Sequence, residues 1–134
     1  MFEAVPGGTR LALPAGMITM DAMPLSLHVR RMLALIEERS AEPLSLATFA
    51  RALNRQAGYL GRLFREEIGV GMREYLARLR LERAARMIRE GVKVEAVALE
   101  VGYRSKKNFY RQFRRRFGTT PALYRAAAGE PSGT

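Results

Sequence analysis

From Leu25 onward, apolar residues return every three or four positions, and glycine, asparagine or proline interrupts them at short intervals. Leu25, Val29, Met32, Leu33 and Ile36 share one side of a helix predicted over Leu25 to Arg39. Glu42-Pro43 breaks it, because the residue before a proline is pushed out of helical backbone. Ser45 is placed to cap a helix over Leu46 to Leu53. Asn54 tolerates left-handed backbone and suits the turn that follows. The next helix is Gln56 to Ile68, with Leu60, Leu63, Phe64 and Ile68 inward and Gly69 as its stop. Met72 to Arg89 is the longest, turns Tyr75, Leu76, Leu79, Ala84, Met87 and Ile88 inward, and stops at Gly91. Val94 to Val101 is short and ends at Gly102. Ser105 is placed to cap a helix running to about Phe117, stopped by Gly118. Thr120-Pro121 opens the last, a capping residue followed by proline at the first helical position. No segment sustains alternation of period two, so the expected fold is all-α with about seven helices.

The ends break this pattern. Pro6, Gly7-Gly8, Pro14 and Gly16 argue against a long helix in residues 1–23. Arg10 followed by Leu11 to Met20 lies too late and is too weakly apolar for a secretory signal. Residues 1–23 are therefore read as a flexible leader or the remnant of an upstream segment, and 128–134 as a disordered tail.

Within the helical stretch the chain repeats itself. Leu46, Phe49, Ala50 and Leu53 recur 48 positions on as Val94, Val97, Ala98 and Val101. After the turn the offset becomes 49: Leu60, Arg62, Phe64, Arg65, Gly69 and Tyr75 recur as Phe109, Arg111, Phe113, Arg114, Gly118 and Tyr124. The extra residue falls between helices. Each unit is a short helix, a tight turn, a longer helix and a glycine stop, the layout of a helix-turn-helix. The alanine in each short helix is the small side chain that two steeply crossing helices need. The expected organisation is a first helix-turn-helix subdomain over 24–70, a linker helix over 71–90 and a second subdomain over 91–127.

Charge changes the picture. Lys+Arg number 23 against 13 Asp+Glu, for a net charge of +10 over 134 residues. A small domain this basic points to a polyanionic partner. Between Glu100 and Glu130 there is no acidic residue, while Arg104, Lys106, Lys107, Arg111, Arg114, Arg115, Arg116 and Arg125 all fall there. Such a block repels itself unless a polyanion, or another part of the protein, offsets it. No run approaches the ~18 apolar residues of a membrane span. With no cysteine there is no disulfide, thiolate nucleophile or zinc finger. The one histidine, His28, sits on a helix with no serine arranged to use it as a base. No paired carboxylates or phosphate-cradling loop appear, so no catalytic residue, metal site or cofactor is expected.

The outer faces of the two longer helices carry the candidate chemistry. In the second unit, with Phe109 and Phe113 inward, the opposite side presents Lys106, Lys107, Tyr110, Arg111 and Arg114. A helix entering a major groove needs such a row of long donors for base edges and phosphates, with an aromatic among them. The corresponding positions in the first unit are Ala57, Gly58, Gly61, Arg62 and Arg65. Two glycines in a helix each cost roughly 1 kcal/mol relative to alanine. Either the backbone approaches DNA closely there, or this unit reads few bases; the second reading is preferred.

These features resemble the DNA-binding domain of the AraC/XylS family of bacterial transcription regulators. The signature residues are Arg80-Leu81, Ala84, Met87-Ile88, Val94, Val97-Ala98, Val101-Gly102-Tyr103, Phe109, Arg111, Phe113-Arg114, Phe117-Gly118, Thr120-Pro121 and Tyr124-Arg125. The resemblance covers residues from about 25 to 126. It implies two helix-turn-helix subdomains on a long helix, binding two successive major grooves on one face of DNA. It implies DNA contacts by Gly58, Gly61 and Arg62 in the first recognition helix and by Lys106, Lys107, Tyr110 and Arg111 in the second. The sequence departs from the family around the first unit: Gln56 and Gly71 stand where capping residues are usual, and Gly58 and Gly61 lack base-reading side chains. Relatives that repair alkylated DNA use a cysteine, which is absent here. The expected function is sequence-specific binding of double-stranded DNA at an asymmetric promoter site. Activation through RNA polymerase is the family's commoner habit. The protein is expected to act as a monomer on DNA, in the cytoplasm at the nucleoid and not at a membrane. It is read as a stand-alone regulator or the C-terminal domain of a longer one. The alternatives are a nonspecific nucleoid or RNA-binding protein, which would show little sequence preference, and a protein-interaction module, whose binding would be insensitive to salt.

Overall fold

A computed structural model describes residues 24–129. The leader read over 1–23, and residues 130–134 of the expected tail, lie outside them. Seven helices follow one another: α1 (Leu27–Arg39), α2 (Leu46–Leu53), α3 (Ala57–Ile68), α4 (Met72–Arg89), α5 (Val94–Val101), α6 (Lys106–Phe117) and α7 (Pro121–Gly129). Among the described residues there is no strand.

The caps explain most of the boundaries. Ser45 Oγ accepts the Thr48 N–H while Thr48 Oγ1 accepts the Ser45 N–H, a reciprocal box at the start of α2. Ser105 Oγ accepts the Asn108 N–H at 3.1 Å, and Thr120 Oγ1 accepts the Leu123 N–H at 3.2 Å. Three ends differ from expectation, the smallest change being at α3, which starts at Ala57 with Gln56 in extended backbone as its N-cap. α1 starts at Leu27, after Leu25, because Ser26 leaves the helix to cap it; its Oγ accepts the Val29 N–H at 3.3 Å and its own N–H donates to Glu67 Oε1 at 2.7 Å. α7 runs through Ala126-Ala127-Ala128 to Gly129, into the stretch read as tail, because alanine is the best helix former.

The two helix-turn-helix pairs are α2–α3 and α5–α6. Asn54 makes the first turn in left-handed backbone (φ 53°), as its residue type suggests, and Gly102 makes the second (φ 112°). The internal repeat holds in the packing. Tyr75 sets its ring edge-on to Phe64 at 5.6 Å and 80°, and Tyr124 does the same to Phe113 at 5.4 Å and 82°.

There are two cores. One gathers Val29, Met32, Ile36, Phe49, Leu60, Phe64 and Ile68 with Met72, Tyr75, Leu76 and Leu79 of α4. The other gathers Leu81, Ala84, Ala85 and Ile88 of α4 with Val97, Ala98, Val101, Tyr103, Phe109 and Phe113. α4 therefore serves both units: its first half closes the first core and its second half opens the second. The division falls between Leu79 and Leu81.

Candidate nucleic-acid interface

α6 is pinned by its apolar side. Phe109 and Phe113 are fully buried, 5.8 Å apart between ring centroids, and Phe117 and Tyr124 extend the aromatic stack. Burying these rings fixes the rotation of the helix, which leaves Lys106, Lys107, Arg111, Arg114 and Arg115 exposed. Tyr110 lies at the boundary, half-buried, 6.0 Å from Phe109. Tyr110, Arg111, Arg114, Arg115 and Thr120 line one shallow open depression.

The acid-free block is partly offset from elsewhere in the fold. Arg116 pairs with Glu82 of α4 at 2.7 Å, and Lys106 lies 3.8 Å from Glu95 of α5. Both pairs are exposed, so each is worth at most about 1 kcal/mol and gives way to a stronger anion. Arg111 donates to Asn108 Oδ1 at 2.7 Å, one turn earlier, which holds its guanidinium along the helix. Arg104, Lys107, Arg114 and Arg115 have no ion-pair partner among the described residues. The face therefore carries uncompensated positive charge on a rigid aromatic backing.

α3 presents a sparser face. Arg62 and Arg65 are exposed and have no ion-pair partner among the described residues. Gly58 is open: a Cβ there would meet nothing within 4 Å. Gly61 is turned toward α2, where a Cβ would come within 2.9 Å of Leu46 Cδ1. The two glycines thus have different surroundings, which their shared position in the pattern did not distinguish. Gln56 occupies the α3 N-cap without a side-chain hydrogen bond, and Gly71 likewise caps nothing at α4. The Arg65 guanidinium lies over Gly71, where a Cβ would come 3.0 Å from its Nη2. Tyr59, which the spacing of charged residues does not mark out, is exposed beside Gly58 and meets His28 edge-on at 5.9 Å. Its signal in the sequence was an aromatic on a helix with few other large outer side chains.

A further cluster joins the two units. Arg80 donates from Nε to the Ser40 carbonyl and from Nη2 to the Glu42 carbonyl, each at 2.7 Å, and its guanidinium lies 5.7 Å from the Tyr103 ring centre. Burial pulls the Arg80 pKa down and pushes Tyr103 up, and their proximity works against both shifts. Arg83 donates to Ser40 Oγ, and to Glu37 at its carbonyl (3.2 Å) and Oε2 (2.8 Å). The Glu37 and Ser40 carbonyls that these arginines bind belong to the end of α1 and its C-cap, and the Glu42 carbonyl to the loop that follows. The described residues contain no group of three or more His, Cys, Asp or Glu able to hold a metal, and no helix long and apolar enough to cross a membrane.

Comparison with known proteins adds to this geometry. A family profile described as "Helix-turn-helix domain" matches residues 49–127. Regulatory protein SoxS of Escherichia coli (strain K12) is 32% identical over 98 residues, 72% of this chain and 92% of that protein. The transcriptional regulatory protein YesN of Bacillus subtilis (strain 168) is 35% identical over 109 residues, 78% of this chain but 30% of that protein. The chain thus spans under a third of YesN and nearly all of SoxS. Among solved structures, the DNA-binding domain of the global transcriptional factor AdpA, in complex with a target DNA, superposes with a TM-score of 0.73 at 30% identity, over 81% of this chain and all of that one.

Proposed function

Because this chain belongs to the AraC/XylS family of helix-turn-helix transcription regulators, we propose that it binds double-stranded DNA sequence-specifically, with α3 and α6 in two successive major grooves. The observation that carries the proposal is the face of α6. Among the described residues, Lys107, Arg111 and Arg114 have no acidic partner, on a helix whose rotation is fixed by Phe109 and Phe113. A duplex offers both the phosphates to neutralise that charge and the acceptor pairs on guanine that arginine reads. Residues 24–70, 71–90 and 91–127 then act as first reading unit, connector and second reading unit.

In this arrangement Lys106, Lys107, Tyr110 and Arg111 contact base edges under the second unit. Arg62 does so under the first, with Gly58 and Gly61 on the same helix. Arg65 and Arg114 engage phosphates. The units run head to tail along one chain, so one copy suffices for an asymmetric site and no palindrome is required. Activation through RNA polymerase is the regulatory outcome we assign, and the nucleoid its place of action. The comparison with AdpA supports duplex DNA as the ligand.

The test is selection of bound fragments from randomised duplexes, followed by competition against unrelated DNA at fixed salt. Enrichment of one asymmetric site, bound at least a hundredfold above competitor, is the expected result. Uniform recovery of all duplexes would replace this reading with that of a nonspecific nucleic-acid binder. Activation is checked by a reporter downstream of the selected site, with expression rising when the protein is supplied.

A further inference from the structure

The two cores do not merge across α4, and no helix of the first unit packs extensively on a helix of the second. What lies between Leu79 and Leu81, at the division, is Arg80. Its side chain reaches the loop after α1 at the Ser40 and Glu42 carbonyls, and it lies against the turn after α5 at Tyr103. The two loops also meet directly. A Cβ on Gly102 would come within 3.0 Å of both the Cα and the carbonyl oxygen of Ala41, and 2.9 Å from Arg80 Nε. Only glycine fits there, for want of space as well as for its φ of 112°. Arg83, one turn further along α4, adds its bonds to Ser40 and Glu37. Ser40 is the buried polar residue of the described part and sits at this junction.

We propose that Arg80 is a positioning residue for DNA recognition: by locking the α1–α2 loop, α4 and the α5–α6 turn together, it sets the relative orientation of α3 and α6 about α4, and so the spacing of the two half-sites the protein accepts. This rests on the two-groove reading above and adds to it a residue that touches no DNA. The physical reason is that α4 fixes the distance between the units but not their orientation about it. Each unit is held to α4 by its own core, and a small rocking of the first unit on the N-terminal half of α4 would break no apolar contact in the second. The arginine junction opposes that rocking. A one-base-pair insertion between half-sites moves them apart by about 3.4 Å and rotates them by about 35°. A locked pair cannot follow this; a loosened pair can.

Two independent measurements test the proposal. The first needs no DNA. The chain has no cysteine, so Glu38→Cys on α1 and Leu123→Cys on α7, both exposed, give two unique spin-label sites. A narrow inter-label distance distribution is expected with Arg80 in place, and a distribution at least twice as broad in Arg80→Met. The second compares binding to the selected site and to the same site with one base pair inserted between halves. The native protein should lose tenfold or more on insertion, and Arg80→Met less than threefold, with affinity for each half alone unchanged. If Arg80→Met fails to give a helical circular dichroism spectrum, Arg80→Gln is measured in its place. Equal distance distributions, or an equal insertion penalty in variant and native protein, would overturn the proposal. Failure to bind any DNA would overturn the function proposed above, while the distance measurement still decides the role of Arg80.

Discussion

Arg111 and Arg115 are one turn apart on α6, and their surroundings set them different tasks. Arg111 is held by Asn108 on the face proposed to read bases, whereas Arg115 has no ion-pair partner among the described residues. Arg111→Ala should therefore relax preference at one or two base pairs under the second unit, by about 1–3 kcal/mol of discrimination. Arg115→Ala should weaken all sequences alike or do little. Binding of a library randomised in each half-site, at fixed salt, separates these outcomes. If the half under Gly58 and Gly61 proves the more stringent, the assignment of roles is wrong. Behind the face, Phe113 has no exposed surface and stacks on three other rings. Phe113→Ala should cost about 3–5 kcal/mol by leaving a cavity, read as a fall in the urea midpoint. At alkaline pH, the raised pKa of Tyr103 means that its contribution to stability is complete below the ordinary tyrosine value near 10 and is lost as pH rises through the folded value. Thermal unfolding followed as the pH is raised from below that ordinary value should show this decline, and Tyr103→Phe should remove that part of it.

Among the elements, α3 and α6 are built on one plan but stabilised unequally. α6 has a serine cap and no glycine; α3 has an idle Gln56 and two glycines. Gly58→Ala adds a methyl group to open space and should stabilise by up to about 1 kcal/mol. Gly61→Ala meets the end of the Leu46 side chain and should gain less, since Leu46 must shift. Thermal denaturation of the two variants ranks them, and the reverse order would contradict the placement of Gly61. Helix limits were legible wherever a local device set them: α2 and α6 begin after a capping serine, α2 ends at Asn54, and α3, α5 and α6 end at glycine. The start of α1 is less legible, because the Ser26 cap is reinforced by Glu67, 41 positions away. Distance along the chain also hid the pairing of Arg116 with Glu82, 34 positions apart, and the hydrogen bonds of Arg80 and Arg83 at the junction, which span 38 to 46. The outer face of α6 could be read because helical spacing alone determines it. What could not be read was which of its cations another helix neutralises.

At the scale of the whole molecule, α4 has 18 residues and so is about 27 Å long, close to the ~34 Å between adjacent major grooves on one face of a duplex. A monomer should therefore protect about 17–20 base pairs. Protection of one helical turn or less in quantitative footprinting would show that only one unit docks. The free cations on both recognition helices should make affinity fall steeply with salt, by about 0.9 in log K per decade for each phosphate neutralised. A slope near zero would point to a protein ligand instead. The divided core has a consequence of another kind, for the way the chain loses its structure. Two small clusters that share a helix, without apolar continuity between Leu79 and Leu81, form two cooperative opening units. Native-state hydrogen exchange should then resolve two groups of amides with distinct opening free energies, one around Phe64 and one around Phe113, with α4 following the more stable. The unit with the uncapped, glycine-bearing helix should open first, so a protease at low concentration should leave a resistant fragment that begins within or just before α4 and ends after α7.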